Sequence, residues 1–321
     1  MQSGRAKAWI LRGLKLAVTV GMFMLIARIV DLTRTMQLLR GAAPTLLGVA
    51  FAALAAQAML AVVRWRWVLI LQGRRFGYFR LVRFYWLGLF FNQVLPSSVG
   101  GDAMRAYCLV RDGCGIGSSS VAVLLDRILG LVGLILLVFV CQPMSFEFIR
   151  DDATRLGVLL VALGAAFAVC GVLILDRLTG RFRHWRIARG MTMLSSEARR
   201  ILFSVPSGTG LLALSVVVHL ISIVAVGILA LAVGVGVHWL AFAIVVPLAS
   251  LLMTVPISIA GWGVREGVMV VGLGYAGIQP EQAVALSVLF GLLLLDVALP
   301  GGLAWLADGR RRLQAERGDA A

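Results

Sequence analysis

The sequence predicts an all-α polytopic membrane protein with about six full transmembrane helices and two re-entrant helical hairpins, set in an inverted repeat. Three observations carry that reading. Hydrophobic residues make up 60% of the 321 positions and charged residues only 14%, with a mean hydropathy of +0.96, a balance that soluble chains do not show. One short phrase occurs twice, at residues 95–106 and 255–266. The charged connections also alternate in sign, which constrains how many times the chain crosses a bilayer.

Laid over each other at an offset of 160, the two phrases match at Pro96 and Pro256, Ser98 and Ser258, Gly101 and Gly261, and Arg105 and Arg265. Each puts a helix-breaking proline and one or more glycines inside a long apolar stretch, then follows them with charge. Interrupted apolar segments at corresponding places in two halves point to a transporter binding site.

No segment outside the apolar stretches is long enough to hold its own core, so residues 1–321 form a single integral membrane domain, with pseudo-repeats at roughly 40–141 and 205–306. The net charge of +15 sits in loops and tails, where it orients the chain and attracts anionic lipid headgroups, and it does not signal nucleic acid. Cys108, Cys114, Cys141 and Cys170 lack metal or disulfide spacing, and His184, His219 and His238 are scattered; no metal site and no cofactor are expected.

In chain order, Arg5, Lys7, Arg12 and Lys15 precede an apolar run to Val30, read as an uncleaved first span starting in the cytoplasm. A weakly charged loop covers 31–44. The second span covers roughly 45–63 and ends in Arg64, Trp65, Arg66 and Trp67, a composition suited to the membrane interface. Arg74, Arg75, Arg80 and Arg83 then mark a cytoplasmic loop. Residues 84–110 are too few for two full spans at about 20 residues each.

The fourth segment (119–141) leads to Glu147, Arg150, Asp151, Asp152 and Arg155, net −1. The fifth (156–175) leads to 176–210, with seven Arg against Asp176 and Glu197, net +5. If 84–110 crossed once, the +5 loop would face outward, against the positive-inside rule. A hairpin that dips in and returns places this loop in the cytoplasm. The sixth segment (211–235) precedes a second dip at 240–275, entered from the opposite face. The last span (283–306) ends in the basic cytoplasmic tail 307–321, so both termini are cytoplasmic.

The phrases define the candidate site. Unwound backbone at membrane depth is tolerated only where protein buries it or water fills a cavity. Ser98 and Ser258 suit the role of caps for the returning helices, whose positive dipole ends attract phosphate or carboxylate. Arg105 and Arg265, one turn in, are placed for bidentate contact with a phosphate. Asp102 and Glu266 are their expected partners, paired across the repeat: Asp102 with Arg265 and Glu266 with Arg105. Gly101 and Gly263 complete the substrate-binding set. Asp126, Arg127 and Asp296 are candidates for a proton or ion relay, with Asp126 alternatively neutralising Arg105 or Arg127. Asn92, Gln93 and His219 read as polar residues bonding a neighbouring helix. No catalytic motif is visible, so an enzyme is not expected.

These residues resemble a known family. Arg64 to Arg66, Asn92 to Pro96, Gly100-Gly101-Asp102 with Arg105, Asp126-Arg127 with Gly130, Pro256 to Glu266 and Pro300-Gly301-Gly302 look like the lysylphosphatidylglycerol synthase transmembrane family, over about residues 10–307. The resemblance implies a flippase-like domain of the bacterial inner membrane that moves a lipid or lipid-linked headgroup between leaflets. The aminoacyl-transferase domain of two-part members is not expected, with about 15 residues after the last span. The alternatives are a proton- or ion-coupled small-solute transporter and an accessory subunit that recruits a lipid-modifying enzyme.

Overall fold

A computed structural model describes residues 2–95, 99–147, 149–179, 186–255 and 258–318. Among these the chain is all-α, and five helices are long and apolar enough to cross a membrane, or six if one bent pair counts as a single span. The bent pair is α1 (Gln2–Ile29) and α2 (Leu32–Arg40), which meet at 95°. Asp31 makes the corner: its Oδ1 accepts from the Thr33 N–H at 2.8 Å and the Arg34 N–H at 3.2 Å, capping α2 as α1 ends. The expected loop at 31–44 is therefore mostly helix.

The body then repeats one order of elements. Helix α3 (Pro44–Leu71) is followed by the short α4 (Tyr78–Val94) and α5 (Gly100–Arg111), then the long α6 (Ile116–Cys141). After a 3-10 turn (Gln142–Glu147), α7 (Asp152–Thr179) and α8 (Arg186–Leu202) intervene. The order long, short, short, long returns in α9 (Ser207–Ala232), α10 (Trp239–Met253), α11 (Val264–Gly274) and α12 (Pro280–Gly318). Both predicted dips are thus helix–break–helix units, α4–α5 and α10–α11, and each folds back on itself. Gly88 of α4 lies against Gly101 and Arg105 of α5, and a methyl on Gly272 of α11 would sit 2.7 Å from the Val245 side chain of α10.

Packing between the two units is reciprocal. Helix α4 lies on α12, and α10 lies on α6, while α3 and α9 pair at the centre. In lipid, apolar side chains gain little by leaving the solvent, so close backbone approach over small residues carries helix association. Gly301 meets the main chain of Trp86, Gly302 meets the Phe90 ring, and a methyl on Gly133 of α6 would lie 2.8 Å from Ser215 Cβ on α9. The Ala43 N–H bonds Ala232 O at 2.9 Å, tying the start of α3 to the end of α9.

Two sequence expectations are corrected here. The second span runs on to Leu71, and Arg64 and Trp65 are buried among the helices, facing neither lipid nor water. Leu54, Ala58, Ala61 and Trp65 form one buried stripe at helical spacing, so the core face of α3 continues through the aromatic residue. The basic segment 176–210 also contains α8, an amphipathic helix held to the end of α7 by Arg199, which pairs with Asp176 and bonds Leu173 O at 2.9 Å.

Candidate functional site

The first hairpin carries a row of alternating charges. Arg105 of α5 donates from Nη2 to Asp126 Oδ2 of α6 at 2.7 Å. The other oxygen, Asp126 Oδ1, accepts from Arg64 Nε of α3 at 2.8 Å. Arg105 Nη1 also lies 3.8 Å from Asp102 Oδ1, and Asp102 Oδ2 pairs with Arg127. The order is therefore Arg64, Asp126, Arg105, Asp102, Arg127. Its first four members are buried, while the Arg127 side chain is 35% exposed and forms the accessible end.

Small neighbours make room for this row. The aliphatic stem of Arg105 lies on Gly88, and the Arg64 guanidinium lies on Gly130, where a methyl would come within 3.2 Å of it. Arg64 Nη1 donates to Ser215 Oγ of α9 at 3.2 Å. The Arg105 guanidinium stands 4.1 Å from the Trp65 ring centroid and 4.6 Å from that of Tyr85, so two π faces share its charge with the carboxylates. Asn92 Oδ1 accepts from the Gly101 N–H at 2.9 Å, and His219 Nε2 lies 3.0 Å from Gly130 O. Both bond a neighbouring helix, as their isolation in apolar sequence predicts.

The second hairpin holds a smaller cluster. Arg265 donates from Nη2 to Glu266 Oε1 at 2.7 Å, and its Nε lies 3.1 Å from Glu266 Oε1 and 3.0 Å from Ser287 Oγ of α12. Ser287 Oγ in turn donates to Glu266 Oε1 at 2.9 Å, and Glu266 Oε2 accepts from the Gly263 N–H at 2.6 Å. The Arg265 guanidinium lies on Gly291 and 4.6 Å from the Trp262 ring centroid. Glu266 has no exposed surface.

Several sequence-predicted site residues need restating. The crossed pairing fails: Arg105 is held by Asp126 and Asp102, and Arg265 by Glu266, each within its own half. The physical reason is reach, since each acid lies beside its own arginine on the same helix or on α6. Helix α11 is capped by Gly263 with Glu266 folded back on it, and Ser258 is buried earlier in the break. Gly263 has φ +86°, and a methyl there would meet Met22 Cβ of α1 at 2.8 Å, so glycine is required on two counts. Ser98, Pro96 and Pro256 lie outside the described residues. Asp296 is exposed on α12. Arg64, Trp65 and Ser287 belong to the clusters and were not predicted as site residues; the stripe through Trp65 was the available signal for the first two.

A cavity lies at the open end of each hairpin, away from its break. The first, about 550 Å³, is lined by Arg83 and Leu87 of α4, Met104, Tyr107 and Arg111 of α5, and Trp305 of α12. The pair Arg83–Asp308 bridges its rim. The second, about 720 Å³, is lined by Arg150, His238 and Trp239, and by Gly274 and Tyr275 at the end of α11. Among the described residues no group of three or more His, Cys, Asp or Glu is placed to hold a metal ion.

Long apolar helices, two helix–break–helix units and charge buried among apolar residues define a polytopic helical membrane protein. Residues 13–301 match the family described as the lysylphosphatidylglycerol synthase TM region, and the chain belongs to that family. It is also similar to a UPF0104 membrane protein of Methanothermobacter thermautotrophicus, 25% identical over 233 residues, which cover 63% of this chain and 67% of that protein.

Proposed function

We propose that this protein is a lipid translocase of the inner membrane, moving an anionic or lipid-linked headgroup between leaflets while the acyl chains stay in the bilayer. The observation that carries this is a shared design: each hairpin joins a buried arginine on its returning helix to a cavity at its open end that offers an arginine and aromatic rings. A cation beside Trp and Tyr suits a phosphate at the level of lipid headgroups. The repeated order of elements and the reciprocal packing of α4 on α12 and α10 on α6 support insertion of the two hairpins from opposite faces. On that reading the cavities serve opposite leaflets and both termini are cytoplasmic.

In this reading Arg105 and Arg265 are the inner contacts of the headgroup, reached when it competes with their own carboxylates. Asp102, Glu266, Gly101, Gly263 and Ser258 shape the path. Asp126 has both oxygens engaged by guanidinium groups, which favours a role in holding Arg105 over a proton relay. The exposed Asp296 is the observation that favours the rival, a proton-coupled solute transporter, and substrate-dependent acidification of vesicles separates the two. A partner enzyme that supplies or consumes the lipid is compatible with either.

The test is leaflet transfer of a labelled anionic phospholipid in reconstituted vesicles. Arg105→Ala and Arg265→Ala should each slow transfer by at least about tenfold, the effect of losing one charge-assisted contact, while the protein stays monodisperse. Normal rates in both variants would remove the proposal. Cysteines introduced at 113 and 190 should label from the same side of the membrane, and labelling from opposite sides would refute the re-entrant geometry.

A further inference from the structure

Helix α12 changes character at Pro300, Gly301 and Gly302. Pro300 has no N–H to give the carbonyl of Asp296, and two poor helix formers follow it, so the helix is weakest there. Val297, Ala298, Gly301 and Gly302 are buried, whereas none of residues 303–308 is. Past the glycines, Trp305 rests edge-on against Phe91 of α4 with ring centroids 5.8 Å apart, and Asp308 pairs with Arg83. A helix end without buried side chains, behind a weak joint, opens locally at low cost.

Both of those contacts bear on the first cavity. Trp305 and Asp308 wall it from α12, across from Arg83 of α4 and Arg111 of α5. The remaining carboxylate of the lining, Asp112, is held by Arg80. With Asp308 in place, the two arginines and two aspartates of the lining balance. With Asp308 turned out, Arg83 loses its partner, and two guanidinium groups are left to face the cavity beside Tyr107. Paired guanidinium groups are well matched to a phosphate, which they also hold in the way they hold a carboxylate.

We infer that Asp308 is an intramolecular stand-in for the phosphate of a ligand. It occupies Arg83 while the first cavity is empty, and an entering phosphate group displaces it as the end of α12 turns about Pro300, Gly301 and Gly302. The inference rests on the lipid-translocase reading for the source of that phosphate, and on the cavity itself for the displacement. It makes Arg83 a ligand contact and the end of α12 a lid.

The experiment uses the full chain in an uncharged detergent, with Cys114, Cys141 and Cys170 replaced by alanine. Cys108, which is buried and lines the first cavity, then reports access to it. Its modification by methyl methanethiosulfonate is followed by intact mass. Dihexanoylphosphatidylglycerol and inorganic phosphate are titrated separately at constant ionic strength, with dihexanoylglycerol as the uncharged control. A phosphate-bearing ligand should slow modification saturably, and dihexanoylglycerol should not. Asp308→Asn should lower the half-protecting concentration by roughly fivefold, the ceiling for one exposed pair. Arg83→Gln should raise it by roughly tenfold, and in that background Asp308→Asn should have no further effect. Protection by the lipid alone supports the inference with a headgroup as the ligand. Protection by inorganic phosphate alone also supports it, and removes the lipid reading of this cavity. An Asp308→Asn shift that is absent, or that persists without Arg83, would overturn the inference and leave the transfer test at Arg105 and Arg265 standing. Equal protection by dihexanoylglycerol, or by no ligand at all, would overturn it too. So would a Cys108 that reacts neither in the unmodified chain nor in Trp305→Ala, which frees the lid from Phe91.

Discussion

The two hairpins share a phrase and a plan, yet they settle their charge in different ways. In α10–α11 the arginine and its acid are adjacent in sequence, Arg265 and Glu266, and the acid also caps its own helix through Gly263. A displacement of α11 would carry the counter-charge with it. In α4–α5 the strong partner of Arg105 is Asp126 on α6, itself held by Arg64 on α3, which bonds Ser215 on α9. Moving α5 would break contacts to a different helix and disturb two more behind it. The second hairpin is thus electrically self-contained, and the first is wired to the bundle. Similar local sequence can therefore serve a movable element in one half and an anchored one in the other.

This contrast is open to attack by substitution. The largest effect is expected at Asp126, because its loss strips two arginines of a partner at once. Asp126→Ala should destabilise by more than Glu266→Ala, which orphans one arginine; breaking one buried pair costs about 3–5 kcal/mol. Thermal unfolding of the detergent-solubilised variants orders them, and a larger loss in Glu266→Ala would reverse the assignment of anchored and self-contained hairpins.

Smaller effects separate the two folds of the chain. At Gly101 a methyl group would overlap Gly88 O across the hairpin, and at Gly263 it would force a side chain into the left-handed region at φ +86°. Gly101→Ala should cost about 1–3 kcal/mol by overpacking, and Gly263→Ala about 1–2 kcal/mol of backbone strain with the Met22 contact in addition. The distinguishing readout is protease access to the loop after α5, which should rise in Gly101→Ala alone. The smallest effect belongs to the cavity rim: Arg83 pairs with Asp308 on the surface, and such pairs contribute at most about 1 kcal/mol. Arg83→Ala should leave the melting temperature nearly unchanged, and a large loss would mean that this rim holds α12 in place.

The class of protein, the helix–break–helix units and the arginines at their returning helices were all legible in the residues. Proline, glycine and charge inside apolar runs have few physical explanations, and the spacing of about 20 residues per crossing is set by the bilayer. The pairing was legible only in part. Arg64 sits beside three aromatic or basic neighbours that read as an interface, and only the packed stripe of α3 shows that it faces inward. Asp126 was visible as an intramembrane carboxylate with Arg105 or Arg127 as its alternative partner, and the pair with Arg105 forms, but nothing near it in sequence names Arg64 as its second donor.

By itself, then, the sequence determined a helical membrane protein with two interrupted segments, because hydropathy and backbone-breaking residues act locally and through the solvent. Which carboxylate meets which guanidinium was decided, for most of the pairs, only by the tertiary structure. Ion pairs act over a few ångströms between helices that are far apart in the chain, and their partners are fixed by how closely glycine lets those helices approach.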